Sequence, residues 1–225
     1  SINSVALAEE MRRVSMGVSG SVKAPGQMPR PSDDGRFVTF MSQAANLVPN
    51  DLNGLMDIFV YDRQTGTTER VSIATDGTES NGYSHWPNLS ADGRYVAFAS
   101  RASNLITGAA NGTTAPPASV TYDIFVHDRL TGTTRLVSQS STGEPGNNSS
   151  VEPRISANGQ AVIFSSAADN LVANDTNGTY DLFYHVLSNS QTIRVGTGAS
   201  LGHQLPDISG DGRYVTYATP DSLVA

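Results

Sequence analysis

Oxygen-bearing side chains recur at one spacing in two places. Asp51-Leu-Asn53-Gly-Leu-Met-Asp57 and Asp175-Thr-Asn177-Gly-Thr-Tyr-Asp181 both set Asp, Asn and Asp at relative positions 1, 3 and 7, with glycine at 4. Such a loop can wrap a hard cation, because the glycine bends the chain and the backbone carbonyl at position 5 adds a further oxygen. The spacing predicts a calcium site at Asp51, Asn53 and Asp57 and a second at Asp175, Asn177 and Asp181. Two carboxylates per loop and no distal bidentate Glu put the expected affinity on the order of 10⁻⁴–10⁻³ M. The same residues have a plainer use, in which Asp51 and Asn53 close Asx-turns and Asp57 bonds a nearby amide. The stretch before Asp123 keeps Asn111-Gly112 but lacks the first Asp, so no site is expected there.

A second group is polar and aromatic. Asn81-Gly-Tyr83-Ser-His85-Trp86-Pro contains the only tryptophan of the chain. An aromatic plane beside His, Asn and Glu suits a sugar or another small ligand. Tyr83, His85, Trp86, Glu152 and His203 are the expected ligand-binding residues, for a protein or carbohydrate ligand. The plainer alternative has Trp86 capping the core beside Pro87. Nothing resembles a catalytic set. There is no cysteine and no Gly-x-Ser-x-Gly elbow, and no glycine-rich phosphate loop opens a helix. His127 and His185 stand at one repeated position, matched by Tyr61, which marks them as structural.

The elements that must hold these residues repeat. Met28-Pro-Arg-Pro-Ser-Asp-Asp-Gly-Arg-Phe-Val-Thr-Phe returns as Trp86-Pro-Asn-Leu-Ser-Ala-Asp-Gly-Arg-Tyr-Val-Ala-Phe, as Glu152-Pro-Arg-Ile-Ser-Ala-Asn-Gly-Gln-Ala-Val-Ile-Phe and as Leu205-Pro-Asp-Ile-Ser-Gly-Asp-Gly-Arg-Tyr-Val-Thr-Tyr. Asp57-Ile-Phe-Val-Tyr-Asp-Arg, Asp123-Ile-Phe-Val-His-Asp-Arg and Asp181-Leu-Phe-Tyr-His form a second series. The turn glycines Gly35, Gly93, Gly159 and Gly212 lie 58, 66 and 53 residues apart. Residues 107–121 carry the extra length of the second repeat and read as a protruding loop.

Each repeat resolves into four short strands. Asp-Gly or Asn-Gly supplies the positive φ of a tight hairpin between the first two. The second and third strands are apolar on both faces, so both faces should be covered. The fourth, expected over residues 69–72, is more polar and therefore outermost. Arg36, Arg94 and Arg213 should cover strand ends or pair with acids of adjacent blades.

Repeated four-stranded antiparallel sheets that cover one another describe an all-β propeller. These residues resemble the TolB-like, WD-type propeller repeat of bacterial proteins, over roughly residues 11–225. The Asp-x-Asn-Gly-x-x-Asp loops are similar to the calcium loops of FG-GAP propeller repeats and to the first half of an EF-hand. The resemblance implies a fold more than a function, because such propellers serve as scaffolds, receptors and occasional enzyme domains.

The blades are expected at residues 16–72, 73–138 and 139–195, with a fourth shared between residues 196–225 and 1–15. Third and fourth strands from the N-terminus (residues 4–8 and 11–15) would then pair with first and second strands from the C-terminus. Closure would hide two adhesive edges. The alternative is a piece of a larger ring of about six to eight blades, or half of an oligomeric one.

Composition agrees with a turn-rich all-β chain: 225 residues, 21 Gly and 11 Pro, with only 16% charged. A net charge of −7, with basic residues scattered, argues against a nucleic-acid partner. No apolar run reaches the roughly 18 residues of a membrane span. The expected function is a non-enzymatic binding or scaffold propeller, exported to the periplasm or secreted, with calcium as a stabilising ion. A carbohydrate-binding, lectin-like propeller is the alternative. A hydrolase or lyase would instead set His85, His203 and Glu152 to acid–base work at the channel mouth.

Overall fold

The computed structural model describes residues 26–106, 121–199 and 206–218. Three antiparallel meanders of four strands follow one another. The first contains β1 (Gln27–Pro31), β2 (Phe37–Ser42), β3 (Asp57–Asp62) and β4 (Thr67–Arg70), in that spatial order. The second contains β5 (Ser84–Leu89), β6 (Tyr95–Ser100), β7 (Asp123–Asp128) and β8 (Thr133–Leu136). The third contains β9 (Ser150–Ile155), β10 (Ala161–Ser166), β11 (Tyr180–Val186) and β12 (Gln191–Ala199). β13 (Asp207–Ile208) and β14 (Val215–Thr216) pair in a separate two-stranded sheet. The expected N-terminal strands, the expected fourth blade beyond this pair, ring closure and residues 107–120 of the insertion lie outside the described residues.

The first hairpin of each blade is built by its sequence. In the first blade the Ser32 hydroxyl donates to Asp34 Oδ1 at 2.6 Å, and the Arg36 amide donates to the same oxygen at 2.9 Å. Ser32 Oγ in turn accepts the Phe37 amide. Ser90 with Asp92, Ser156 with Asn158 and Ser209 with Asp211 repeat the bond between hydroxyl and turn acid or amide. The glycine that follows takes the left-handed backbone, as Gly35 does at φ 67°.

Inside each blade the second and third strands stack a phenylalanine pair. Phe40–Phe59, Phe98–Phe125 and Phe164–Phe183 have ring centroids 5.7, 5.9 and 5.8 Å apart. Between blades, Met41, Ile58 and Val60 meet Val96, Phe98 and Phe125. Ala97, Ile124 and Val126 meet Val162, Phe164 and Phe183 in the same way. Both faces of the middle strands are covered, as their apolar pattern predicts. Each buried phenylalanine contributes roughly 1.5–3 kcal/mol through this burial.

Two expectations change. Arg36 and Arg94 pair within their own blades, with Asp62 at 2.8 Å and Asp128 at 2.7 Å, and do not reach acids of adjacent blades. The acid at the end of the third strand pairs with the first residue of the second strand, which the arginine immediately precedes, so the local partner is the nearer one. Arg213 instead lies over the Tyr214 ring. The outer strand of the first blade starts at Thr67, earlier than expected, because the turn at Gly66 is tight enough for Thr67 to pair with Asp62.

Candidate functional site

The two acidic loops connect second strands to third strands. In the first, Asn53 Oδ1 accepts the Leu55 amide at 2.7 Å, while its Nδ2 donates to Asp57 Oδ2 at 2.8 Å. In the third blade Asn177 Oδ1 accepts the Thr179 amide at 3.0 Å, and its Nδ2 donates to Asp181 Oδ1 at 2.8 Å. Both asparagines therefore close Asx-turns, and their oxygens are used by backbone. A residue absent from the sequence motif enters each loop from the outer strand. Arg70 Nη1 lies 3.3 Å from Asp51 Oδ1 and 3.6 Å from Asp57 Oδ2, and it also pairs with Glu79. Arg194 Nη1 lies 2.9 Å from both Asp175 Oδ1 and Asp181 Oδ2. Asp51, Asp57 and Glu79 converge closely enough to surround one ion, their oxygens lying within 4.8 Å of one another. Arg70 and Glu79 sit outside the seven-residue spacing, so the motif did not reveal them.

Burial raises the pKa of three of these carboxylates. It lifts Asp57 to about 6, against the opposing pull of Ser72, Asn53 and Arg70. It raises Asp51 and Asp175 as well, with their arginines opposing the rise. His127 and His185, at equivalent third-strand positions, are held down to about 4, chiefly by burial. Each ring bonds a threonine hydroxyl of the outer strand, His127 with Thr134 at 2.8 Å and His185 with Thr192 at 2.9 Å. The same position doing the same structural task in two blades fits the reading that they are not a metal pair.

The aromatic group gathers at the start of β5. Between His85 and Asn88 the strand slips in register against β6, and Trp86 adopts φ 52°. Met28 and Glu152 do likewise at the matching positions, with φ 50° and 55°. A non-glycine residue in this region costs on the order of 1–3 kcal/mol, so the bulge is a feature that the surrounding sheet enforces. His85 lies 5.5 Å from Trp86 and 5.6 Å from Tyr122, measured between ring centroids. Trp86 and Tyr122 meet edge to face at 5.2 Å, and Tyr83 borders His85. The Arg101 guanidinium lies 4.4 Å above the Tyr122 ring. Burial and then the Arg101 charge lower the His85 pKa, so its imidazole is neutral at neutral pH.

Tyr83, His85 and Trp86 thus come together as expected, and Trp86 also packs against the core shared by the second and third blades. Glu152 occupies the corresponding bulge of β9, where it is buried. His203 lies outside the described residues. Sequence reading missed Tyr122 and Arg101. The signal lay in the repeat: Arg101 stands where the other blades have Gln43 and Ala167, a departure that the fold itself does not demand.

No protein-family model matches the sequence, and no curated protein matches it. Solved structures do. TolB from Acinetobacter baumannii superposes with a TM-score of 0.53 at 18% identity, covering 89% of this chain and 39% of that one. The tricorn protease gives 0.52 at 15% identity, covering 86% of this chain and 15% of that one. A prolyl endopeptidase gives 0.51 at 15% identity, covering 86% and 26%. This chain therefore spans well under half the length of these structures. At such identities the likeness establishes a TolB-like β-propeller fold and nothing about activity.

Proposed function

We propose that the chain is a non-enzymatic binding or scaffold propeller, exported from a bacterial cell, with its ligand surface at the aromatic end of β5. The observation that carries this reading is a division between repeated and unrepeated residues. Four of the buried titratable groups, His127, His185, Asp57 and Asp123, sit at repeated positions and bond within their own blades. Tyr83, His85, Trp86 and Arg101 are particular to the second blade and cluster there with Tyr122, whose position the third blade also fills with a tyrosine, Tyr180. The exposed Tyr83 and the half-buried rings beside it favour carbohydrate as one ligand class, with a protein segment as the other. Export rests on the bacterial repeat resemblance; no helix among the described residues is long and apolar enough to cross a membrane.

Because Trp86 is the only tryptophan, its fluorescence reports on this surface alone. A panel of neutral and acidic oligosaccharides and peptides should include one that changes the emission saturably. The change should vanish in Tyr122→Ala, and no product should form. Product formation that requires His85 and Glu152 would replace this reading with the enzymatic one.

A four-bladed ring completed by residues 1–15 belongs to the same proposal. It is supported by β1, which is exposed at all five positions, whereas the matching strands β5 and β9 are largely covered. Among the described residues, β13 and β14 supply two of the four strands of a blade. Deleting residues 1–10 should lower the melting temperature sharply in a monomer. An unchanged melt, or a defined oligomer by light scattering, would favour a larger or shared ring.

A further inference from the structure

We propose that Arg70 and Arg194 hold the places a calcium ion would take in the first and third blades, so that these loops are closed by the protein's own cation. Three observations converge on this. First, Arg70 Nη1 lies among Asp51, Asp57 and Glu79, whose oxygens are themselves within 4.8 Å of one another. Calcium needs several oxygens at about 2.3–2.6 Å, and an ion that close to these three carboxylates would occupy the space of the guanidinium nitrogen. Second, the amide oxygens that the motif would offer each already accept a backbone amide, at Leu55 and Thr179, which leaves one lone pair apiece. Third, acid and arginine are lost together. The second blade lacks the first Asp of the loop, and at the position of Arg70 and Arg194 it carries Leu136. A loop that recruited a metal from solution would have no reason to keep an arginine wherever it keeps that aspartate.

The guanidinium also does mechanical work that a free ion would do. Arg70 lies at the end of β4, the outermost strand, and draws the connection between β2 and β3 onto it. Arg194 on β12 holds the equivalent connection before β11. The outer strand is thereby fastened without dependence on the ionic content of the compartment. Removing Arg70 would leave Asp51, Asp57 and Glu79, with oxygens within 4.8 Å of one another, as ligands for a hard divalent cation, so a metal site is latent beneath it.

The test compares the full chain with Arg70→Met, Arg194→Met and Arg70→Met/Asp51→Asn, each melted in millimolar calcium and in chelator at matched ionic strength. The wild type should melt identically in both and release no heat in a calcium titration. Arg70→Met should gain a calcium-dependent rise of several degrees, which Asp51→Asn then removes. A wild-type rise abolished by Asp51→Ala with Asp175→Ala would overturn the proposal and restore the loops as calcium sites. An Arg70→Met protein that folds and ignores calcium would overturn it too. Should Arg70→Met fail to fold, Arg194→Met carries the same expectation in the third blade, and the wild-type calorimetry stands without any variant.

Discussion

Two blades put an aspartate at the same buried corner and surround it differently. Asp57 opens β3 and receives the Ser72 hydroxyl at 2.5 Å, the Asn53 amide and the Arg70 charge. Asp123 opens β7 and receives the Ser138 hydroxyl at 2.9 Å, while Leu136 stands where the first blade has Arg70. Both carboxyls are almost wholly out of water. Burial lifts Asp57 to about 6 and Asp123 to about 7, the higher value belonging to the corner without an arginine. The blade architecture therefore tolerates two electrostatic solutions at one position. One corner holds an ion pair, and the other is close to half protonated at neutral pH. In these two blades the shared feature is the hydrogen bond from the serine to the carboxyl, while the third blade has Gly196 at the serine's position and bonds Asp181 through Asn177 and Arg194.

Removing the arginine is the strongest way to break this contrast. Arg70→Ala leaves Asp51, Asp57 and Glu79 facing one another without a cation. Breaking a buried ion pair from one side typically costs about 3–5 kcal/mol, because the remaining charges stay desolvated. Urea unfolding at pH 7 should show a loss of this size, recovering in part at pH 5 as Asp57 takes up a proton. A loss below about 1 kcal/mol would mean that water already screens the corner.

The second blade should respond to pH in the opposite sense to its histidine. Asp123 has a folded pKa of about 7 against an ordinary value of 3.8, so between these limits the folded chain binds the extra proton. Stability from this group is complete below about pH 4 and is lost as the pH rises through 7, by on the order of 2–4 kcal/mol. Asp123→Asn should remove that loss and melt higher than wild type at pH 8. His127 and His185 act the other way: held to about 4 in the fold, they make stability fall as the pH drops from 6.5 towards 4. The variant should therefore show a steeper acid decline than the wild type, whose aspartate offsets part of the histidine effect. Parallel profiles in the two proteins would count against an acid that is protonated at this corner.

Much of the scaffold was legible because a repeat reports each element several times. The Ser-x-Asp-Gly turns, the two-sided apolar strands and the structural role of His127 all follow from equivalent positions in successive blades. The partners of the acidic loops were not legible in this way. Arg70 follows Asp57 by thirteen residues, with a hairpin between them, and the pattern of ligand spacing within a loop carries no information about a strand that folds back onto it. Arg36 was misassigned for a related reason: sequence shows that an acid is available, but the strand register decides which one lies opposite. The aromatic cluster was half visible, since Tyr83, His85 and Trp86 are contiguous, whereas Tyr122 joins them only through the pairing of β7 with β6.

The smallest expected effect separates the turns of the same two blades. Gly35 and Gly93 share a left-handed backbone, so an alanine at either carries a penalty of about 1 kcal/mol from conformation alone. Their surroundings differ. A Cβ at Gly35 would meet only the end of the Arg63 side chain, at an ordinary 3.5 Å. A Cβ at Gly93 would lie 2.3 Å from Cδ2 of Phe37 in the first blade, a distance that forces the ring to move. That ring has little freedom, since the Arg36 and Arg129 guanidiniums lie 4.6 and 4.4 Å from its centroid. Overpacking of this kind adds roughly 1–3 kcal/mol. Gly93→Ala should therefore destabilise by more than Gly35→Ala, with the excess measured in denaturant at fixed pH. Because the excess arises only where one blade's turn seats on the next, it should disappear in Gly93→Ala/Phe37→Ala relative to Phe37→Ala. Persistence of the excess in that double variant would assign it to the turn itself and remove the contact between blades as its cause.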